Sequence, residues 1–261
     1  MNTADPILFS VENQIAKIIL NRPEVYNSFD LALANRTQEV LQTCKEDADI
    51  RAVYITGAGK AFSAGQDIKE ITGDNPPALS TILTERFNPI IKRITELDKP
   101  VVAAVNGVAA GAGSSLALAC DICVASEDAK FIQSFANIGL IPDGGATYIM
   151  PRLIGWQKAK ALMMLGESIT AKEAAGLGMI YQTFKKNSFE KSSWDLALRL
   201  AKMPTKALWM IKKALSFSYN CDLERQLAME AELQSTASRT ADFKEGITAF
   251  IEKRAPEFKG E

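Results

Sequence analysis

The chain contains no histidine. No Ser-His-Asp or Cys-His relay can therefore form within it, and no His-Glu-x-x-His zinc site is possible. Acid–base chemistry has to come from carboxylates, Lys, Tyr, Cys or water. Cysteine is scarce as well, with four in 261 residues: Cys44, Cys120, Cys123 and Cys221. Cys120 and Cys123 form a C-x-x-C, but there is no second pair and no histidine to complete a four-ligand metal site. Their surroundings, Leu-Ala-Cys-Asp-Ile-Cys-Val-Ala, read as a buried strand, where cysteine acts as a small apolar residue. Excess charge is absent too: 30 basic against 31 acidic residues, net −1. Such a balance gives no electrostatic footprint for nucleic acid. No apolar run approaches the ~20 residues of a membrane helix. The N-terminus shows no basic-then-apolar signal pattern, so cytoplasmic residence is the expectation.

What is present suits a large core, since hydrophobic residues make up 47% of the chain. Residues 6–21 read as a hairpin turning at Asn13 and Gln14. Asp30 is placed as an N-cap, and the following helix carries Leu31, Ala34, Val40, Leu41 and Cys44 at helical spacing. A buried strand is predicted over 51–56. A helix over 79–97 presents Leu79, Ile82, Leu83, Phe87, Ile90, Ile91 and Ile94. Short strands and helices alternate as far as Phe184. From residue 188 the pattern is helical only, over 188–202, 205–217, 222–237 and 241–253. The expected class is α/β, with a core over 1–195 and a helical region over 196–261. Two glycine turns, at 57–65 and 107–113, each follow a strand and precede a helix, which suggests a repeated β-β-α unit.

The stretch Val105 to Gly145 carries the chemistry. A strand, Val101 to Val105, runs into Gly107, Gly111 and Gly113, and a small-residue helix is predicted over 114–119. Dinucleotide and phosphate-loop patterns both fail: G-x-G-x-x-G breaks at Leu116, and G-x-x-x-x-G-K-[ST] is absent. Two readings stay open. The glycines either pack helix tightly on strand, or they expose helix-start N–H groups to a developing negative charge. Asp143 follows in a second glycine turn. It is either an N-cap for the helix after Gly145 or a lone proton carrier.

Several motifs together resemble the crotonase (enoyl-CoA hydratase/isomerase) superfamily from end to end. They are Asn21-Arg22-Pro23 with Asn27, Ala64-Gly65-x-Asp67-Ile68, Lys99-Pro100-Val101 through Val105-Asn106-Gly107, and Gly111-x-Gly113. Cys120-Asp121-Ile122, Gly139-Leu140-Ile141-Pro142 with Gly145, Ala171 to Gly178, and Ala249-Phe250-x-x-Lys253-Arg254-x-Pro-x-Phe258 complete the set. The resemblance implies a spiral of β-β-α units, a helical C-terminal trimerisation region, and thioester substrates carried on coenzyme A. It implies a homotrimer or a dimer of trimers, and no metal or separate cofactor.

By that resemblance the backbone N–H groups of Gln66 and Ala112 form an oxyanion hole. Ala64, Gly65, Asp67, Ile68, Gly111 and Val25 line the coenzyme A and pantetheine path. Phe250 and Lys253 meet the nucleotide end of a neighbouring subunit's ligand. Hydratases of the family add water with two glutamates, and the matching positions here are Ser115 and Phe135, which the resemblance places beside the bound substrate instead. Dehalogenase members need a histidine, and dienoyl isomerases a further acid; both are lacking. One carboxylate, Asp143, remains, and a single acid that removes a proton and returns it elsewhere makes an isomerase. Phe135, Leu140 and Ile141 are expected to keep water out and to raise its pKa by desolvation. The pattern is most similar to the family's ring-epoxide isomerases of phenylacetate degradation, although the loop 69–80 differs. The alternatives are a 3-enoyl isomerase or weak hydratase of fatty-acid oxidation, and a non-catalytic subunit that binds acyl-CoA.

Overall fold

The computed structural model describes residues 5–261. Ten strands form two sheets. They are β1 (Ile7–Glu12), β2 (Ile15–Leu20), β3 (Ala52–Gly57), β4 (Ala61–Ser63), β5 (Val101–Val105), β6 (Val108–Ala110), β7 (Ile122–Ser126), β8 (Lys130–Ile132), β9 (Ser168–Thr170) and β10 (Gln182–Phe184). The larger sheet has the order β1-β2-β3-β5-β7-β10 and the smaller one β4-β6-β8-β9. Pairing is parallel except between β1 and β2 and between β8 and β9. Each strand of the large sheet from β3 to β7 is followed by one in the small sheet and then by helical chain. This is the expected β-β-α spiral, turned three times.

Local chemistry explains the elements. Asn13 and Gln14 both adopt positive φ, +53° and +64°, the geometry a two-residue hairpin needs. Asp30 accepts from the Leu33 N–H at 2.8 Å and caps the helix Leu31–Glu46. The five residues of β5 are all buried, as expected of a parallel strand covered on both faces.

Strand ends within and between turns of the spiral lie against each other where glycine permits it. A Cβ on Gly107 would stand 2.0 Å from the Lys60 carbonyl oxygen, and one on Gly57 2.2 Å from that of Ala61. Asn27, fully buried, secures the same region. Its amide donates to the Ala58 and Ala61 carbonyls at 2.9 and 2.8 Å and its oxygen accepts from the Arg22 N–H at 2.8 Å. Asn27→Ala strands these groups in a dry interior. A loss of about 2–3 kcal/mol in denaturant unfolding is expected.

The predicted helix over 79–97 forms in three parts: Leu79–Ile82, a π-helical turn Leu83–Phe87, and Asn88–Glu96. Pro89 accounts for the break. It has no N–H to return to the Glu85 carbonyl, which accepts instead from Gln38 Nε2 at 2.9 Å. The last strand ends at Phe184, where the alternation of strands and helices was expected to end, and begins at Gln182.

Four helices close the chain, Phe189–Ala201, Thr205–Ser218, Leu223–Ala237 and Ala241–Glu252. The first lays Phe189, Ala197 and Ala201 on the large sheet against Ile15, Tyr54 and Val102. Residue 195, where the sequence suggests the core ends, thus lies inside a helix that covers the sheet. Lys212 joins the later helices to the spiral through Asp121 at 2.9 Å and the Ile94 carbonyl at 2.7 Å. No helix among the described residues is long and apolar enough to cross a membrane.

Candidate active site

The chain from Ala64 to Asp67 accounts for its backbone donors one by one. Ala64 N–H goes to the Tyr26 carbonyl at 2.9 Å and Asp67 N–H to that of Phe29 at 2.9 Å. Gly65 N–H goes to Ser63 Oγ at 3.1 Å. Gln66 N–H alone has no partner among the described residues. A similar vacancy arises across the gap. The helix predicted to start at Ser114 starts at Ala112, with Gly111 (φ +51°) as its non-helical N-cap. Ala112 N–H is the first of the helix and is likewise unpaired among the described residues.

Glycine brings the two donors together. A Cβ on Gly65 (φ +88°) would stand 2.8 Å from the Ala110 carbonyl oxygen and 3.0 Å from Ala112 N. A Cβ on Gly113 would stand 2.5 Å from the Ser63 carbonyl oxygen. Only bare backbones can approach so closely.

Gln66 and Ala112 both line a cavity of about 370 Å³. Asp143 lines it too, from the turn ahead of helix Ala146–Ile154. That helix is capped by Gly145 without any side chain, so the N-cap role open to Asp143 is not taken. The Asp143 side chain instead has a buried Oδ1 with no hydrogen-bond partner among the described residues. Burial raises its carboxyl from the usual range to about 6. Ile71, Leu79, Leu83, Phe87, Ile138 and Leu140 provide the apolar surroundings. The expected desolvation is present, and no cation among the described residues sets against it.

Other predicted residues divide. Ala64, Ile68, Gly111 and Phe135 share the cavity wall. The Phe135 ring lies near Gly111, where an added Cβ would meet its Cζ at 3.6 Å. Gly65 lies behind the wall and holds it close. Asp67 does not line the cavity: its carboxylate pairs with Arg22 at 3.1 Å and caps Lys69 N–H at 3.1 Å. Ser115 is fully buried, with Oγ donating to the Gly111 carbonyl at 3.3 Å. Val25 sits in the short turn Pro23–Val25 away from the lining. Phe250, 83% exposed, and Lys253 lie on or at the end of the last helix. Neither reaches this cavity within one chain.

Residues missed from sequence include Leu79, Leu83 and Phe87, treated there as one apolar helix face, and the lining Asn88 and Ser134. Periodicity alone does not separate a cavity wall from a core face. Pro89 was the available sign that the helix changes geometry here.

Two unpaired backbone donors and one desolvated acid share a cavity on a glycine-packed β-β-α spiral, an arrangement with the chemistry to hold an oxyanion and to move a proton. The family profile described as enoyl-CoA hydratase/isomerase matches residues 10–261. The chain belongs to this family, the crotonases, and is an enzyme acting on CoA thioesters. Within the family it is 40% identical to the 1,2-epoxyphenylacetyl-CoA isomerase of Escherichia coli (strain K12) over 257 residues, covering 97% of this chain and 98% of that one. It is 35% identical to the trans-2-decenoyl-(acyl-carrier-protein) isomerase of Streptococcus mutans, with 97% and 98% covered. The crystal structure of enoyl-CoA hydratase from Bacillus anthracis superposes with a TM-score of 0.93 at 36% identity, covering 98% of this chain and 100% of that one.

Proposed function

We propose that this enzyme is an acyl-CoA isomerase in which Asp143 shuttles one proton. The observation that carries the reading is the unpartnered, desolvated Asp143 carboxyl sharing a cavity with the two free N–H donors. The thioester oxygen accepts from Gln66 and Ala112. Asp143 takes the C2 proton of a 3-enoyl chain, and the electron pair moves onto the thioester oxygen as a dienolate forms. The same carboxyl, now protonated, delivers its proton to C4. The double bond moves from C3–C4 to C2–C3, with no change in composition or redox state. The reaction as written calls for no metal or redox group.

The preferred substrate is the ring-1,2-epoxide of phenylacetyl-CoA, with oxepin-CoA as product. There Asp143 assists epoxide opening and rearrangement. Similarity to the Escherichia coli isomerase supports this acyl group, and the apolar cavity suits a ring. Hydration is disfavoured because Ser115 is buried off the cavity and Phe135 puts an aromatic ring where a second acid would stand. Comparing kcat/KM for the ring epoxide, a 3-enoyl-CoA and a 2-enoyl-CoA tests the choice. The epoxide should be fastest and hydration slowest. Fastest turnover of the linear 3-enoyl ester would make this a 3-enoyl isomerase, and binding without turnover of any ester would make it a scaffold.

The pH dependence follows from Asp143. The base must be ionised, and its pKa is raised to about 6. kcat/KM should therefore rise as pH increases through about 6 and level off above it; a profile flat from pH 5 to 8 would contradict the assignment. A trimer, or a dimer of trimers, completes the proposal. Ile211, Leu215, Leu223, Leu227, Ile247 and Phe250 of the C-terminal helices are large, apolar and exposed, a surface suited to assembly. Light scattering should give three or six times the 28.4 kDa chain mass, and a monomer would contradict it.

A further inference from the structure

The side chain of Gln66 is tied to a carboxylate that takes no part in the chemistry above. Gln66 Nε2 donates to Glu70 Oε2 at 3.1 Å and to the Asp67 carbonyl at 3.2 Å. Glu70 Oε2 also pairs with Arg86 Nη1, and Glu70 Oε1 accepts from the Leu31 N–H at 2.9 Å. Arg86 is buried and belongs to the π-helical turn Leu83–Phe87. That turn contributes Leu83 and Phe87 to the cavity wall.

One carboxylate thus joins three elements: the oxyanion loop, the start of helix Leu31–Glu46, and the wall that faces the acyl group. The charge on Glu70 also sets the Gln66 amide. With the amide reversed, Oε1 would face an anionic carboxylate and a carbonyl, so the NH2 side has to point to Glu70. Loop and wall cannot shift independently while this connection holds.

We infer that Glu70, paired with Arg86, is a positioning residue that fixes the Gln66 donor of the oxyanion hole and couples it to the acyl-facing wall. This rests on the proposed oxyanion hole. Glu70 does not line the cavity. It acts by holding the loop against the turn, so its loss should weaken stabilisation of the enolate while leaving the binding of a saturated acyl-CoA intact.

The test uses a 3-ketoacyl-CoA, whose enolate absorbs in the near ultraviolet, bound to the full-length enzyme. Its enolisation reads the oxyanion hole directly, and a merely structural role would not move it. Wild type should lower the pH at which the bound ester enolises. In Glu70→Ala that pH should move back up by about one unit, a tenfold loss, and kcat should fall roughly 10- to 100-fold. KM and saturated acyl-CoA affinity should hold. Glu70→Gln keeps the size and loses the charge, and should fall between the two. Arg86→Met should give a similar loss, with no further loss when combined with Glu70→Ala. Unchanged enolisation and kcat in Glu70→Ala and Glu70→Gln would overturn the inference, even if melting temperature fell. Wild type that binds the ester without promoting its enolisation would overturn the oxyanion hole itself, a result distinct from failure at Glu70.

Discussion

Asp143→Asn is expected to lower isomerase turnover roughly 10²–10⁴-fold, the range for loss of one positioned acid–base group. Acyl-CoA affinity should be nearly unchanged, because the amide keeps the shape of the carboxyl. Stability should move the opposite way. The folded pKa is raised above the ordinary value of 3.8 to about 6. Burial of Asp143 therefore costs nothing below the unfolded pKa, where both states are protonated, and its destabilising effect grows as pH rises through the folded pKa. The Asn variant should be more stable than wild type at pH 7, by on the order of 1–3 kcal/mol. The two proteins should converge below about pH 4. Parallel kinetics and thermal melts check both halves. A variant equally active, or less stable at pH 7, would contradict the placement of a desolvated base here.

Gly65→Ala should be nearly as damaging to catalysis, though no side-chain chemistry is lost. Gly65 has φ +88°, and its added Cβ would meet Ala110 O and Ala112 N at 2.8 and 3.0 Å. Both are backbone atoms of the turn that supplies the second donor, so relief of the clash must separate Gln66 from Ala112. Loss of a well-aimed oxyanion donor costs roughly 10²–10³-fold in kcat, and that is the expected fall. A saturated acyl-CoA should still bind, because it needs no enolate stabilisation. Equal losses of binding and turnover would instead indicate general collapse of the loop. Gly176→Ala, where an added Cβ meets nothing within 4 Å and the backbone is not left-handed, serves as a control.

Much of the fold was legible because it rests on local rules. The hairpin follows from two turn residues between β-rich runs, helix Leu31–Glu46 from its Asp30 cap, and the C-terminal helices from period and the loss of strand patterns. The glycine turns disclosed the repeat because only glycine allows consecutive spiral turns to touch. Asp143 stood out by elimination in a chain without histidine, and the glycine at the next helix start removed its competing role as a cap.

What stayed hidden depends on direction and distance. Ser115 and Phe135 occupy matching motif positions, yet one turns inward to the Gly111 carbonyl and the other faces the cavity. Asp67 pairs with Arg22 and caps a helix start, and it does not line the cavity. Glu70 and Arg86 meet across separate elements, and nothing in the spacing of two charged residues marks them as a pair. Residue 195 looked like an edge because composition changes near 188, whereas the helix from Phe189 continues to bury its apolar face on the sheet.

Isotope tracing of a single turnover tests the proton shuttle most directly. A 3-enoyl-CoA deuterated at C2 is converted in ordinary water, and the 2-enoyl product is examined at C4 by mass spectrometry and NMR. A single carboxyl in an apolar cavity should deliver part of the abstracted deuteron to C4 of the same molecule, and Asp143→Asn should abolish both transfer and C2 exchange. Turnover that proceeds undiminished in the Asn variant, with C4 hydrogen drawn wholly from solvent, would contradict the account.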